Sequence, residues 1–204
     1  MSGRYIAFEG IDGAGKSTVA EAVAAELRAD DRTVVTVREP GGTPVGEAIR
    51  EILLHSHDDL VPWSEALLFA ASRAQLAAQT VGPLLEAGAW VLTDRSVYSS
   101  LAYQGGGRGL GVDIVRTVNA AGLGEVWPDL AIVLELDPRV GLAREDETDR
   151  IGREGLELQE RVAAAYRDLV ATDPAVVAVD GSRDLADVVA DSVAVIQERF
   201  LESV

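Results

Sequence analysis

Residues Gly10-Ile11-Asp12-Gly13-Ala14-Gly15-Lys16-Ser17 constrain this chain more than any other stretch. The spacing G-x-x-x-x-G-K-S lets successive backbone N–H groups curl around phosphate oxygens while one lysine reaches the outer ones. The flanks decide whether such a loop is real. Before it, Tyr5–Phe8 is an apolar run of strand length; after it, Val19, Val23 and Leu27 recur every four residues, a helical period. Strand, glycine loop and helix together form a phosphate cradle, and the helix N-terminus adds its own positive end. A chain built around this unit binds a nucleoside triphosphate.

Composition sharpens the role of the lysine. Of 18 Lys plus Arg in 204 residues, Lys16 is the single lysine. An ammonium is a compact charge on a flexible stem, whereas a guanidinium is a broad planar fork. A site that seats one small cation between phosphate oxygens accepts only the first. The net charge of −16 argues against a nucleic-acid backbone as partner, since that needs a cationic surface. The absence of Cys excludes disulfides and thiolate chemistry. No basic-then-apolar leader and no apolar run of about 18 residues is present, so no membrane attachment is expected and the location is read as cytoplasmic.

Beyond the loop, apolar strand candidates lie at Tyr5–Phe8, Thr33–Val37, Trp90–Thr93, Leu130–Leu136 and Ala175–Val179. Helical patterns separate them: Lys16–Ala29, Val45–Leu54, Ser64–Glu86, Val97–Gln104, Val112–Asn119, Leu156–Thr172 and Leu185–Leu201. Alternation of this kind predicts an α/β fold of the P-loop NTPase type, a five-stranded parallel sheet with helices on both faces. Ligands of such sheets sit at the carboxyl ends of the strands. One domain is expected over 1–204, with a short mobile lid at about 143–155, where Arg144, Arg150 and Arg153 stand among acidic residues. A lid of this kind can close and deliver Arg to a developing charge.

Candidate chemistry falls at the strand ends. Arg38-Glu39-Pro40-Gly41-Gly42-Thr43 closes the second strand and turns the chain across the sheet. Asp94-Arg95 closes the third: an acidic residue there helps hold Mg²⁺, and its Arg neighbour clamps a phosphate. Phe69 and Arg73, four apart, share a helix face and can grip a base by its face and edge. Ser100 and Gln104 offer a hydroxyl and an amide to a polar ligand edge. The run Gly105-Gly106-Gly107 is expected to end that helix and bend the chain. His55 and His57 have no further ligand cluster beside them, so no metal role is expected.

In this order and spacing, these blocks resemble the thymidylate kinase family of the bacterial type over nearly the whole chain. The resemblance rests on Phe8–Thr18, Arg38–Thr43, Leu67–Arg73, Asp94-Arg95 and Ser99–Gly105. It implies transfer of the ATP γ-phosphoryl group to dTMP, giving dTDP and ADP. By that resemblance Gly10, Ile11, Asp12, Gly13, Ala14, Gly15, Lys16, Ser17 and Thr18 hold the triphosphate, with Lys16 bridging its β- and γ-phosphates. Ser17 ligates Mg²⁺, and Asp94 supports the metal through water. Phe69 stacks on thymine, Arg73 bonds its O4 edge, and Ser99, Ser100 and Gln104 line the base side. Tyr103 crowds the sugar 2′ position, Arg95 and Arg50 hold the dTMP phosphate, Asp12 faces the 3′-OH, and Glu39 lines the acceptor pocket. Gly13 stands where some members carry an Arg, so the transition-state cation is expected from the lid, with Arg150 favoured and Arg153 beside it. A homodimer is implied, through helices such as Val45–Leu54 and Ser64–Glu86.

Two other readings share the phosphate loop: a kinase for a different nucleotide or nucleoside, and an ATPase switched by a partner protein. Lys16→Arg tests the reading of the lone lysine. Turnover should fall about a hundredfold or more, the scale of losing one preorganised charge contact; unchanged turnover in a steady-state assay contradicts it.

Overall fold

Five apolar runs become strands of one parallel sheet. In this computed structural model, which describes residues 3–29, 32–56, 59–144 and 150–200, they are β1 (Arg4–Glu9), β2 (Val34–Arg38), β3 (Trp90–Asp94), β4 (Leu130–Glu135) and β5 (Val176–Asp180). Their order is β2-β3-β1-β4-β5, every neighbouring pair parallel. The central β1, β3 and β4 are buried almost throughout, whereas β2 and β5 at the edges are partly exposed. A strand covered on both faces needs a continuous apolar run, as Tyr5–Phe8 and Leu130–Leu134 supply. Register sets Asp94 opposite both Phe8 and Arg38, so three strand ends finish side by side.

The helices are α1 (Lys16–Ala29), α2 (Pro44–His55), α3 (Pro62–Leu76), α4 (Gly82–Glu86), α5 (Val97–Ser100), α6 (Val112–Leu123), α7 (Pro138–Arg144), α8 (Gly155–Thr172) and α9 (Leu185–Phe200). Right-handed crossovers from this strand order put α1 and α9 on one face of the sheet and the remaining long helices on the other. Packing agrees: α1 lies against α9, and α3 against α2 and α6. The chain runs outward from β1 in one direction and returns to leave in the other, which opens a crevice beside β1. None of the helices among the described residues is long and apolar enough to cross a membrane.

Helix starts follow local chemistry. Thr43 Oγ1 accepts from Gly46 N at 3.0 Å and Pro44 opens α2 with its φ already fixed. Ser96 Oγ accepts from Tyr98 N at 3.3 Å and starts α5.

The structure departs from the sequence pattern in three places. The expected helix Ser64–Glu86 runs from Pro62 to Glu86 but widens to π-helix over Ala77–Val81. The expected helix Val97–Gln104 continues as π-helix over Leu101–Gly107. The glycine run therefore extends the helix instead of ending it. Its purpose is close packing: a Cβ on Gly106 would lie 2.4 Å from the Ala165 Cβ on α8. Helix α7 was not expected at all. At seven residues it shows too little periodicity, though Asp137-Pro138 marks its start, with Asp137 Oδ1 accepting from Arg139 N at 2.8 Å. Leu201, at the end of the last expected helix, and His57 lie outside the described residues.

Candidate active site

The loop after β1 surrounds a buried ammonium. Lys16 Nζ donates to Ile11 O at 2.7 Å, and burial together with Arg95 pulls its pKa down to about 8 against Asp12, Asp94 and Glu9. Gly13 holds φ at +73° and lies directly on Gly141 of α7, where an added Cβ would meet Gly141 O at 2.1 Å. A Cβ on Gly141 would meet Asp12 O at 2.4 Å. The phosphate loop and α7 thus touch backbone to backbone.

Asp12 is the junction between the two halves of the site. Its Oδ1 accepts from Arg95 Nη2 and from the Tyr103 hydroxyl at 2.9 Å, and its Oδ2 from Gln159 Nε2 at 2.6 Å. Burial works to raise its pKa, but Arg95, Lys16 and these hydrogen bonds outweigh it and hold the carboxyl below its usual range. Arg95 has φ of 70°, a left-handed conformation that costs a non-glycine residue about 1–3 kcal/mol. The strain is held by Arg95 N donating to Phe8 O at 3.0 Å and Thr93 Oγ1 donating to Arg95 O at 2.7 Å. It turns the guanidinium inward, onto Asp12, Ser99 Oγ at 3.2 Å and the Tyr103 ring.

A cavity of about 220 Å³ opens beside this junction. Asp12, Glu39, Arg50, Phe69, Arg73, Arg95, Ser99, Ser100, Tyr103 and Gln104, all expected to hold the acceptor, line it together with Ser17 and Asp94. Arg38, Pro40, Leu54 and Ile151 complete the walls. Arg73 is fixed by protein acceptors: Nε to Glu39 Oε2 at 2.6 Å, Nη1 to Ser100 Oγ at 3.0 Å and Asn119 Oδ1 at 2.5 Å, Nη2 to Ser96 O at 3.0 Å. A guanidinium has five N–H donors, so one on Nη2 remains for a ligand. Burial pushes the Glu39 carboxyl up to about 7, although Arg73 pulls it down.

Ser17 Oγ donates to Asp94 Oδ2, while Asp94 Oδ1 is buried with no hydrogen-bond partner. Hydroxyl and carboxylate oxygens are hard donors of the kind Mg²⁺ takes, and the unpartnered Oδ1 fits a magnesium-bound water. Gly10, Ile11, Ala14, Gly15 and Thr18 occupy the loop and first turn of α1 as expected.

The lid arginines are placed differently from one another. Arg144 Nη1 lies 3.5 Å from Gly13 O at the phosphate loop. Arg150, the favoured one, is bound elsewhere: Nε to Leu53 O at 2.9 Å and Nη2 to Glu65 Oε2 at 2.6 Å. Arg153 is exposed and makes no side-chain bond to a described residue. Residues 145–149, the acidic part of the expected lid, lie outside the described residues.

Comparison with known proteins now adds the decisive observation. The family model for thymidylate kinase matches residues 8–192. The chain belongs to the thymidylate kinase family. It is 46% identical over 179 residues to a thymidylate kinase of Bifidobacterium longum (strain DJO10A), covering 85% of this chain and 87% of that one. It is 43% identical over 210 aligned residues to that of Lactobacillus delbrueckii subsp. bulgaricus, covering 99% of each. The Chlorobium luteolum thymidylate kinase is 41% identical over 210, covering 97% and 98%. Phosphorylation of dTMP is the reaction of this chain, within a family that uses ATP.

Several site residues of the chain escape a reading of sequence alone. Gln159 on α8 is fully buried and braces Asp12; Glu9 is fully buried and accepts from Ser96, Ser99 and Tyr166 hydroxyls at 2.6–2.7 Å. Glu65 is buried on α3. One signal was present for it: Glu65, Phe69 and Arg73 recur every four residues along a single helix face.

Gly141→Ala tests the contact between the loop and α7. The methyl group pushes on Asp12 O, so the ATP KM should rise about tenfold or more while the fold survives by circular dichroism. Wild-type kinetics would show that the contact carries no function.

Proposed function

We propose that ATP and dTMP meet across Asp12, with the γ-phosphoryl group between Lys16 and Arg95. One observation carries this reading: all ten residues expected to hold the acceptor line one cavity, and Ser17 and Asp94 close its phosphate end. Phosphoryl transfer needs in-line placement and neutralisation of spread charge, and little covalent work. The acceptor is already a phosphate oxygen, so no general base is required.

On the donor side, the backbone of Gly10–Thr18 cradles the triphosphate and Lys16 reaches its outer oxygens. Burial and Arg95 lower the pKa of Lys16, and the negative charge of a bound polyphosphate beside it would favour its ammonium form. Ser17 and Asp94 would hold Mg²⁺, which when bound neutralises part of the triphosphate charge. On the acceptor side, Arg95 and Arg50 grip the dTMP phosphate, and the strained backbone of Arg95 supports a fixed pose for that grip. Phe69 stacks on the base, the remaining Nη2 donor of Arg73 meets its O4 edge, and Ser99, Ser100 and Gln104 complete the wall. Tyr103, tied to Asp12, crowds the sugar. Glu39 holds Arg73.

Arg144, whose Nη1 lies 3.5 Å from Gly13 O, supports a lid cation at the transferring group; the exposed Arg153 would have to turn towards it, and Arg150 would first have to leave Glu65. A single nucleoside monophosphate kinase domain with its lid at 143–155 completes the architecture. An exposed apolar strip, Val45 and Ile52 on α2 with Trp63 and Leu67 on α3, supports a homodimer in a cytoplasmic enzyme.

Phe69→Ala tests the base pocket. In an ADP-release assay the dTMP KM should rise about 10- to 100-fold, the value of one base–aromatic stack, with the ATP KM unchanged. A rise in the ATP KM alone contradicts the assignment, as does turnover of AMP but not dTMP by the unsubstituted enzyme.

A further inference from the structure

The Glu65 carboxylate, 1% exposed, accepts four N–H bonds. Gln104 Nε2 at 2.8 Å and Arg108 Nε at 3.0 Å meet Oε1, while Arg108 Nη2 at 2.8 Å and Arg150 Nη2 at 2.6 Å meet Oε2. Burial works to raise its pKa, but the bonds from Arg108, Arg150 and Gln104 outweigh burial and hold the group ionised. An ionised carboxylate only accepts, and four donors fill its lone-pair positions.

Gln104 is therefore oriented by chemistry and not by shape. The two ends of a carboxamide are almost identical in size, so its partners decide which end points where. Turning this amide over would set Gln104 Oε1 against a buried carboxylate oxygen, an acceptor facing an acceptor, and leave Glu65 Oε1 with the Arg108 Nε donor alone. Gln104 lines the cavity, and its Oε1 accepts no bond from any described residue.

We propose that Glu65 is a positioning residue for base selection: it locks the Gln104 amide so that the cavity wall presents an acceptor, Oε1, to the N3–H of a pyrimidine. The inference rests on the reading above that Gln104 faces the base. Thymine and uracil carry a donor at N3, whereas cytosine carries an acceptor there and meets a repulsive wall. Arg73 reads position 4 with a donor; Glu65 acts through Gln104 to set the opposite polarity at position 3. The two readings together demand the donor–acceptor order of a 4-oxo pyrimidine.

Glu65→Gln reverses the lock in a defined way. Oε2 faces two guanidinium groups and Oε1 only one, through Arg108 Nε, so the new amide nitrogen is tolerated better at the Oε1 position, where it also faces Gln104 and turns that amide round. The test compares dUMP with dCMP, whose N3 is an acceptor where dUMP carries N3–H. Dissociation constants are measured by calorimetry on the whole protein and on E65Q. The unsubstituted enzyme should bind dUMP about 10- to 100-fold tighter than dCMP, the cost of one buried acceptor left unpaired. In E65Q the ratio should fall towards one. A loss of equal size for both ligands, with the ratio kept, would mean a merely structural Glu65 and overturn the inference. Lack of discrimination by the unsubstituted enzyme overturns it without the variant. Failure of dTMP itself to bind would remove the base-pocket reading and the inference with it.

Discussion

Opposite charges held together at the carboxyl ends of three parallel strands are what the rest of this structure depends on. Glu9 ends β1 and Asp12 follows it, Glu39 follows β2, and Asp94 ends β3 with Arg95 next; Lys16 sits among them. A buried charge without a partner costs several kcal/mol, roughly, so the three ends must finish in register for any of these groups to be tolerated. The pairing of Asp94 opposite Phe8 and Arg38 provides that register. The same arrangement strains Arg95 and leaves one oxygen of Asp94 without a partner.

The acidic composition makes this local order necessary. A chain with a net charge of −16 repels nucleotides at long range. At its cavity, however, Arg38, Arg50, Arg73 and Arg95 converge against Asp12, Glu39 and Asp94, so the local balance of formal charge is positive within an acidic chain. Arginine serves where a planar fork must be braced by several acceptors, as Arg73 is by Glu39, Ser100, Asn119 and Ser96. In the proposed reading, the ammonium is kept for the one place where phosphate oxygens would close on a point charge.

Much of the fold was legible in the sequence, for identifiable reasons. The five strands declare themselves as apolar runs because a doubly covered sheet requires them. The phosphate loop declares itself through its glycines, and the acceptor residues through motifs that share a strand end or a helix face. What stayed hidden depends on tertiary contact. The π-helical stretches at Ala77–Val81 and Leu101–Gly107 leave no periodic mark in the residues, and Gly106 and Gly107 of the second exist for α8, which lies far along the chain. Helix α7 is too short to show a period. Glu65 and Gln159 look like ordinary solvated residues until Arg108, Arg150 and Asp12 are placed beside them. Arg150 shows the same limit: its spacing suits a lid, but its partners in this conformation are Glu65 and Leu53.

The central claim is that Lys16 is the cation of the phosphate cradle, held in a buried site that weakens its hold on a proton until phosphates bind beside it. Because Lys16 is the only lysine, carbon-13 labelling of lysine gives one Cε signal that reports its titration directly. Burial favours the neutral amine, so in the free protein the midpoint should lie at about 8, below the ordinary 10.5. A non-hydrolysable ATP analogue adds negative charge beside the ammonium, so the midpoint should rise and binding near pH 8 should take up a proton. A midpoint near 10.5 in the free protein, or one that does not move when the analogue binds, would contradict the account.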